Sequence, residues 1–292
     1  MASHEQVFLF LAHQATFANR RAFRCLEEQA SSLGDVCWLF DACRGSIPRS
    51  VRSRQHYPFS AAQIGALHYP MMQRSLLPGH AHFPLLCFFR DHPDYRYYWT
   101  VEYDVRFTGS WSSFFDEFSA DPADLLTSHI RPYAEEPDWP WWFLEHPREE
   151  IPRAARLRAF STIFRTSRAA LACLDRDMRD GWCGHQEVLV PTLLQHRGLR
   201  VADIGGAGFL TPPGRRNRLY VDSLPNIQGA LRTGTMRFRP SFWRPGREKG
   251  LLYHPIKPLS QVLYDQYKEM RYRLRALRAR KGALPPTNPA SP

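Results

Sequence analysis

Several things are missing from this chain of 292 residues, and each absence excludes something. No uninterrupted apolar run reaches the roughly 18–20 residues that a membrane-spanning helix needs. None of the six cysteines, at positions 25, 37, 43, 87, 173 and 183, falls in a Cys-x-x-Cys pair, so a zinc ribbon or thioredoxin-type motif has no support. No segment repeats at a fixed period, which argues against solenoids and propellers. The apolar stretch Val7–Ala12 follows Glu5 and lacks a basic leader and a cleavage site, so it is read as a first core strand and not as a signal peptide. On that reading the cysteines are expected to be reduced and mostly buried, and the cytoplasm is the expected compartment.

What is present describes a globular protein with a lopsided charge. The chain is 43% hydrophobic and 13% aromatic, enough for a substantial core and too much for general disorder. Its net charge of +11 is concentrated near the C-terminus. Residues 268–281 hold seven basic side chains and one acidic, and residues 212–250 hold nine basic and two acidic. The remainder is close to neutral. Such a pattern favours a local anion site or a basic surface tail over a protein coated for nucleic acid.

Along the chain, Val7–Ala12 reads as a strand, Ala18–Ser32 as a helix with Phe23 and Leu26 facing inward, and Val36–Phe40 as a second strand ending at Asp41. This spacing is a βαβ unit, which implies parallel pairing and a right-handed crossover. Residues 44–60 read as a loop. A helix over Leu85–Arg90 leads through His92-Pro93 into a strand over 97–107. Further expectations are a short helix over Ser112–Phe118 capped by Ser112 or Ser113, a strand near Asp124–Ser128, and helices over Ser167–Asp177 and from Gln186 to His196. A last strand is expected at Val201–Ile204. The proline- and tryptophan-rich segment 132–152 reads as an ordered aromatic loop, because linkers carry few large apolar groups. Residues 259–281 form a basic helix carrying Leu259, Val262, Leu263, Met270, Leu274 and Leu277, and the end from Gly282 is expected to fray. Packing of 259–270 onto the domain is the expectation there.

The most informative stretch is Tyr97-Tyr98-Trp99-Thr100-Val101-Glu102-Tyr103-Asp104-Val105-Arg106-Phe107-Thr108-Gly109. A β-branched and aromatic run ends in two carboxylates and breaks at a glycine, so it reads as a buried strand with acids at its exit. On extended backbone, residues i and i+2 project to one side. Glu102 and Asp104 in that arrangement can hold a divalent cation and, through it, a nucleotide's phosphates. They are equally read as edge-strand acids paired with Arg106. In Gly184-His185-Gln186-Glu187, a glycine turn opens a helix, and Glu187 either acts as a general base or complements the helix dipole. His254 and Lys257, set among prolines, fit a transition-metal ligand and a phosphate contact. A structural histidine is the other reading. Asp41 is placed to accept hydrogen bonds from a base or ribose, or to cap a turn. His80 and His82 are read as non-ligating, and Gly205-Gly206-Ala207-Gly208 as a turn, since it lacks the lysine and hydroxyl of a phosphate loop.

The segments YYWTVEYDVRFTG and GHQEVLVPT, in their order along the chain, resemble those of a poorly characterised GT-A-like glycosyltransferase family found in bacteria and fungi. The resemblance runs over about residues 5–258. It implies an α/β fold of GT-A-like (Rossmann-like) type, a mixed sheet with flanking helices, in a domain of residues 1–258. The basic C-terminal helix and disordered tail occupy 259–292. It implies a metal-dependent, hexosyltransferase-type enzyme of polysaccharide biosynthesis that moves a sugar from a UDP- or GDP-sugar to a hydroxyl of a glycan, lipid-linked or other acceptor. Glu102-Tyr103-Asp104 stands where the family has a DxD motif, with Glu in place of the first Asp. By the resemblance, Asp104 and His254 hold Mn2+ or Mg2+. Glu102 meets the ribose or the metal's water shell, Lys257 assists the diphosphate, Asp41 meets the nucleoside, and Glu187 is the base or positions the acceptor. No nucleic acid partner is expected. Contact of 259–281 with an anionic membrane, at the inner face, is weighed against plain solvation of its arginines. The competing functions are a basic nucleic-acid-binding protein and a metal-dependent phosphoester hydrolase on the same acids.

Overall fold

The first strand is a run of Val, Phe and Leu whose alternate side chains serve two different cores, and the rest of the sheet is built outward from it. The computed structural model describes residues 5–43, 45–222 and 233–282. In chain order the elements are β1 (Gln6–Ala12), α1 (Phe17–Ala30), β2 (Asp35–Asp41), α2 (Arg49–Arg52), β3 (His56–Phe59), α3 (Ala61–Gly65) and α4 (Phe83–Asp91). Then come β4 (Tyr97–Glu102), β5 (Arg106–Phe107), α5 (Trp111–Asp116), β6 (Leu125–Pro132), β7 (Leu144–Glu145) and β8 (Leu157–Ser167). The chain continues through α6 (Arg168–Asp180), β9 (Cys183–Gly184), α7 (Gln186–His196), β10 (Val201–Asp203), β11 (Leu252–Tyr253) and α8 (Leu259–Gly282).

Seven strands form one sheet in the order β10-β6-β8-β4-β1-β2-β3. All neighbours are parallel except β8, which runs antiparallel to both β4 and β6. This is the expected mixed α/β sheet with flanking helices and a basic C-terminal helix. Val7 and Leu9 enter a layer built with α4, α6 and α7, while Phe8 and Phe10 enter one built with α1 and α5. On the second side Trp38 stacks on Phe23 of α1, with ring centroids 4.5 Å apart. Truncating either to Ala would cost about 3–5 kcal/mol. Thr16 caps α1 through the Asn19 amide, and Ser167 caps α6 through that of Ala170.

Three local expectations are corrected. Residues 44–60 are not all loop, since they contain α2 and the edge strand β3, whose Pro58 is tolerated at a sheet edge. The strand expected over 97–107 stops at Glu102, because the chain turns there to start the separate ribbon of β5 with β11. The helix expected from Ser112 begins at Trp111, and no serine side chain caps it; the Trp111 amide donates to Gln29 Oε1 at 2.7 Å instead. The longest strand, β8, was not foreseen. Cys37, Cys87 and Cys173 are buried, Cys25 and Cys183 half-buried, and Cys43 exposed. No helix among the described residues is long and apolar enough to cross a membrane. The tail expected to fray lies, beyond Gly282, outside the described residues.

Candidate functional site

Glu102 ends β4 at the carboxyl edge of the parallel strands, the edge at which open α/β sheets bind ligands. Its backbone carbonyl accepts from the Val105 amide at 3.0 Å, closing a turn that contains Tyr103 and Asp104. The two carboxylates therefore meet through a turn and not, as the extended reading expected, along one face of a strand. His254 arrives from the far end of the chain. β11 pairs antiparallel with β5, Leu252 facing Phe107 and Tyr253 facing Arg106, which sets the next residue beside the turn. The Ile256 amide then donates to the Asp104 carbonyl at 2.8 Å, fixing the two segments together.

In the resulting cluster, His254 Nε2 lies 3.6 Å from Glu102 Oε2 and 3.6 Å from Asp104 Oδ1. Lys257 Nζ lies 2.6 Å from Asp104 Oδ2 and also donates to the Tyr103 hydroxyl. Asp104 Oδ1 is buried and accepts no hydrogen bond. His254 Nδ1 is 2.8 Å from the Arg237 carbonyl, which can only accept, so Nδ1 carries the hydrogen. The neutral imidazole thus turns the Nε2 lone pair toward the two carboxylates, the orientation that a carbonyl behind a metal-binding histidine imposes. The ligand atoms of Glu102, Asp104 and His254 lie within 4.8 Å of one another. Two carboxylates, one imidazole and an orphaned buried oxygen fit a divalent cation, and the imidazole favours a transition ion such as Mn2+ over Mg2+.

The electrostatics agree with a site that expects positive charge. Burial alone would raise Asp104, but His254 and Lys257 outweigh it and hold the carboxyl below its usual range. Burial raises Glu102, with His254 opposing and the Asp104 charge adding to the rise. Burial would lower His254, but Asp104 and Glu102 more than compensate and raise it.

Glu187 stands near this cluster at the start of α7, its amide 3.3 Å from the Nδ1 of His185, the N-cap residue. Burial pushes its carboxyl up to about 7, with Arg158 opposing and the charge of Glu102 reinforcing the shift. Pro191 has no N–H to give the Glu187 carbonyl four residues earlier. The helix is held instead by Thr192, whose hydroxyl accepts from the Leu157 amide at 2.9 Å and donates to the Leu157 carbonyl at 3.0 Å.

Sequence reasoning missed Arg158, the second residue of β8. Its side chain is 2% exposed, pairs with buried Glu136 at 2.5 Å, and packs 4.5 Å from the Trp139 ring. A signal existed in the aromatic and β-branched run Phe160-Ser161-Thr162-Ile163-Phe164, but six arginines from 148 to 168 disguise the strand. Tyr103 was missed as well; its ring lies 4.3 Å from Lys257 Nζ.

Of the remaining candidates, Asp41 sits at the same edge of the sheet, two strands from Glu102, where its Oδ1 accepts from the Cys43 amide at 2.8 Å. His80 accepts from the Met72 amide at 3.1 Å and lies within the buried aromatic layer. Gly205 and Gly206 form a turn around Asp203, whose Oδ1 takes both their amides at 2.9 Å. Arg215, Arg218 and Arg239 already pair with Asp121, Glu117 and Asp265 and serve the fold. A second group of possible ligands, His146, Glu149 and Asp180, is spoken for, since His146 Nδ1 accepts the Glu149 amide and Nε2 faces Asp180.

A family model described as "Protein of unknown function (DUF3405)" matches residues 59–124, a stretch that includes Glu102 and Asp104. No curated protein matches the chain. Among solved structures, the chain is similar to glucosyl-3-phosphoglycerate synthase from Mycobacterium tuberculosis in complex with Mn2+, UDP-glucose and phosphoglyceric acid. That match has 9% identity, 70% of this chain and 71% of the other covered, and a TM-score of 0.41. The inositol-1-phosphate CTP transferase from T. maritima matches at 9% identity over 72% of this chain and 91% of the other, with a TM-score of 0.40. A glycosyltransferase involved in glycosylating the major capsid of PBCV-1 matches at 12% identity over 59% and 64%, with a TM-score of 0.29.

Proposed function

We propose that the chain is a metal-dependent glycosyltransferase that moves a sugar, of hexose type, from a nucleotide-sugar donor to a hydroxyl acceptor. The observation that carries the reading is the meeting of Glu102, Asp104 and His254, from segments about 150 residues apart, at the carboxyl edge of the sheet. It leaves a buried Asp104 oxygen without a hydrogen bond. Asp104 and His254 would hold a divalent cation, whose chemistry there is to neutralise a leaving nucleoside diphosphate. Glu102 meets the donor's ribose or the ion's water shell. Lys257 shares its charge between Asp104 and a donor phosphate, and Asp41 meets the nucleoside.

Glu187 supplies what the cation cannot. A carboxyl raised to about 7 is poised to take a proton from an acceptor hydroxyl near neutral pH. In an inverting enzyme that proton transfer activates the attacking oxygen; in a retaining one Glu187 orients the substrate. The acceptors proposed are glycans or lipid-linked precursors of polysaccharide, with the enzyme in the cytoplasm. The domain division proposed is a catalytic unit over 1–258 followed by the basic helix.

Thermal-shift measurements with UDP, GDP and their sugars, with and without Mn2+, test the reading. Stabilisation by one nucleotide series that needs Mn2+, and that vanishes in Asp104→Ala, is the expected result. No response to any nucleotide rejects it and turns attention to phosphoester substrates on the same acids.

A further inference from the structure

Of the apolar stripe expected to pack 259–270 onto the domain, Val262 is buried, while Leu259, Leu263 and Met270 stay exposed. Leu259, Leu263, Tyr267, Met270 and Leu274 recur at intervals of four, four, three and four residues, which keeps them on one side of α8. Each of the five is between 47% and 56% exposed. One residue of the stripe and one acid anchor the helix. Val262 and Asp265 are buried, and Asp265 accepts from the Ser241 amide at 3.2 Å and from Gln261 Nε2 at 2.9 Å. Asp265 also takes the Arg239 guanidinium and the Ser241 hydroxyl, so it clamps the preceding loop to the helix. That loop exposes two more large aromatics, Phe238 and Trp243. Each carries an arginine, Arg239 at 5.5 Å from the Phe238 ring and Arg244 at 3.9 Å from that of Trp243.

An exposed apolar row of this size on a monomer marks an interaction surface. The charge around it says what kind. Among the described residues, 237–271 hold eight basic side chains and three acidic ones, and one of the three, Asp265, is buried against Arg239. Two copies of this surface would bring like charges together, which opposes self-association. A nucleic-acid backbone would satisfy the charge but leave the apolar row in water. An anionic lipid surface satisfies both, taking Leu, Met and aromatic groups into the headgroup boundary and Arg and Lys against the phosphates.

We infer that α8 and the 237–244 loop form a docking surface for an anionic membrane, on which the protein lies peripherally. The surface is continuous with the candidate site. Lys257 precedes Leu259 by two residues, and the Arg237 carbonyl that orients His254 precedes Phe238 by one. Docking therefore holds the site at the membrane, within reach of an acceptor hydroxyl borne on a lipid. That last step rests on the transferase reading, whereas the membrane contact does not.

Flotation of the full chain with vesicles tests the contact, using phosphatidylcholine alone and phosphatidylcholine with an equal part of phosphatidylglycerol. Recovery with the anionic vesicles, about tenfold above that with neutral ones and weakened by added salt, is expected. A variant carrying Leu259→Gln, Leu263→Gln, Met270→Gln and Leu274→Gln should lose most of that recovery. Its melting temperature should hold, because the four side chains are exposed. Asp104→Ala should float like the wild type, which separates this inference from the donor-site reading. Wild-type protein that stays in solution with both vesicles overturns the inference. So does a wild-type dimer, seen by sedimentation, that the fourfold variant dissolves.

Discussion

Replacing Glu187 with Gln should make the protein more stable at alkaline pH while removing the proposed base. The folded carboxyl is held at about 7 by burial, against an ordinary 4.5. Unfolding exposes it to water, where it ionises near the ordinary value. Between those two values the folded state holds a proton that the unfolded state has lost, so stability falls as pH rises from about 4.5 to about 7 and is then level. At about 1.36 kcal/mol per pH unit the whole difference is on the order of 3 kcal/mol. Glu187 is partly exposed and Arg158 lies close, so water and relaxation reduce the effect to about 1–2 kcal/mol. Gln keeps the shape of the neutral acid and cannot ionise. Urea unfolding of both proteins at pH 5 and pH 8 measures the effect. The variant should gain about 1–2 kcal/mol on the wild type between the two conditions. Parallel pH dependence in the two proteins would refute the claim that Glu187 is a strained carboxylate beside the acid cluster.

Other expectations follow from the same geometry. Asp104→Ala should cost about 2–4 kcal/mol in urea unfolding, because half-buried Lys257 loses the carboxylate it pairs with at 2.6 Å. Arg158→Ala strands Glu136, whose side chain is 1% exposed, and should destabilise by about 3–5 kcal/mol. Because Arg158 lowers Glu187, which must lose its proton to act as the base, any pH–rate profile in that variant should move its acidic limb to higher pH. Gly206→Ala places a Cβ 2.0 Å from the Tyr220 hydroxyl, and thermal unfolding should register a loss of about 2–3 kcal/mol or a failure to fold.

The sheet was legible where a single run of residues carried the whole signal. Val7–Ala12 and Val36–Phe40 are short, apolar and bounded by turn residues, and α7 runs from Gln186 to His196 as its pattern predicts. β8 was hidden because it buries charge. Arg165 donates to the carbonyls of Phe118, Asp121 and Ala123, and Arg158 pairs with Glu136, so two arginines sit where a core strand is expected to be apolar. Those partners lie 22 to 47 residues away in the chain, and no local pattern encodes them. The same holds for the site. Glu102, Asp104, His254 and Lys257 were each nameable from their surroundings. The turn that replaces the strand at Asp104, and the carbonyl that fixes His254, depend on pairing between β5 and β11 across the length of the chain. The α8 stripe was visible as spacing, but which side of the helix faces the domain was decided by Asp265, a single buried acid.

Binding of Mn2+ followed by its electron paramagnetic resonance signal, with and without UDP or GDP, addresses the site itself. The expected result is one ion per chain, tightened by a nucleoside diphosphate and lost in both Asp104→Ala and His254→Ala. Wild-type protein that leaves all the Mn2+ free, or that binds a nucleotide equally well in excess chelator, would contradict it.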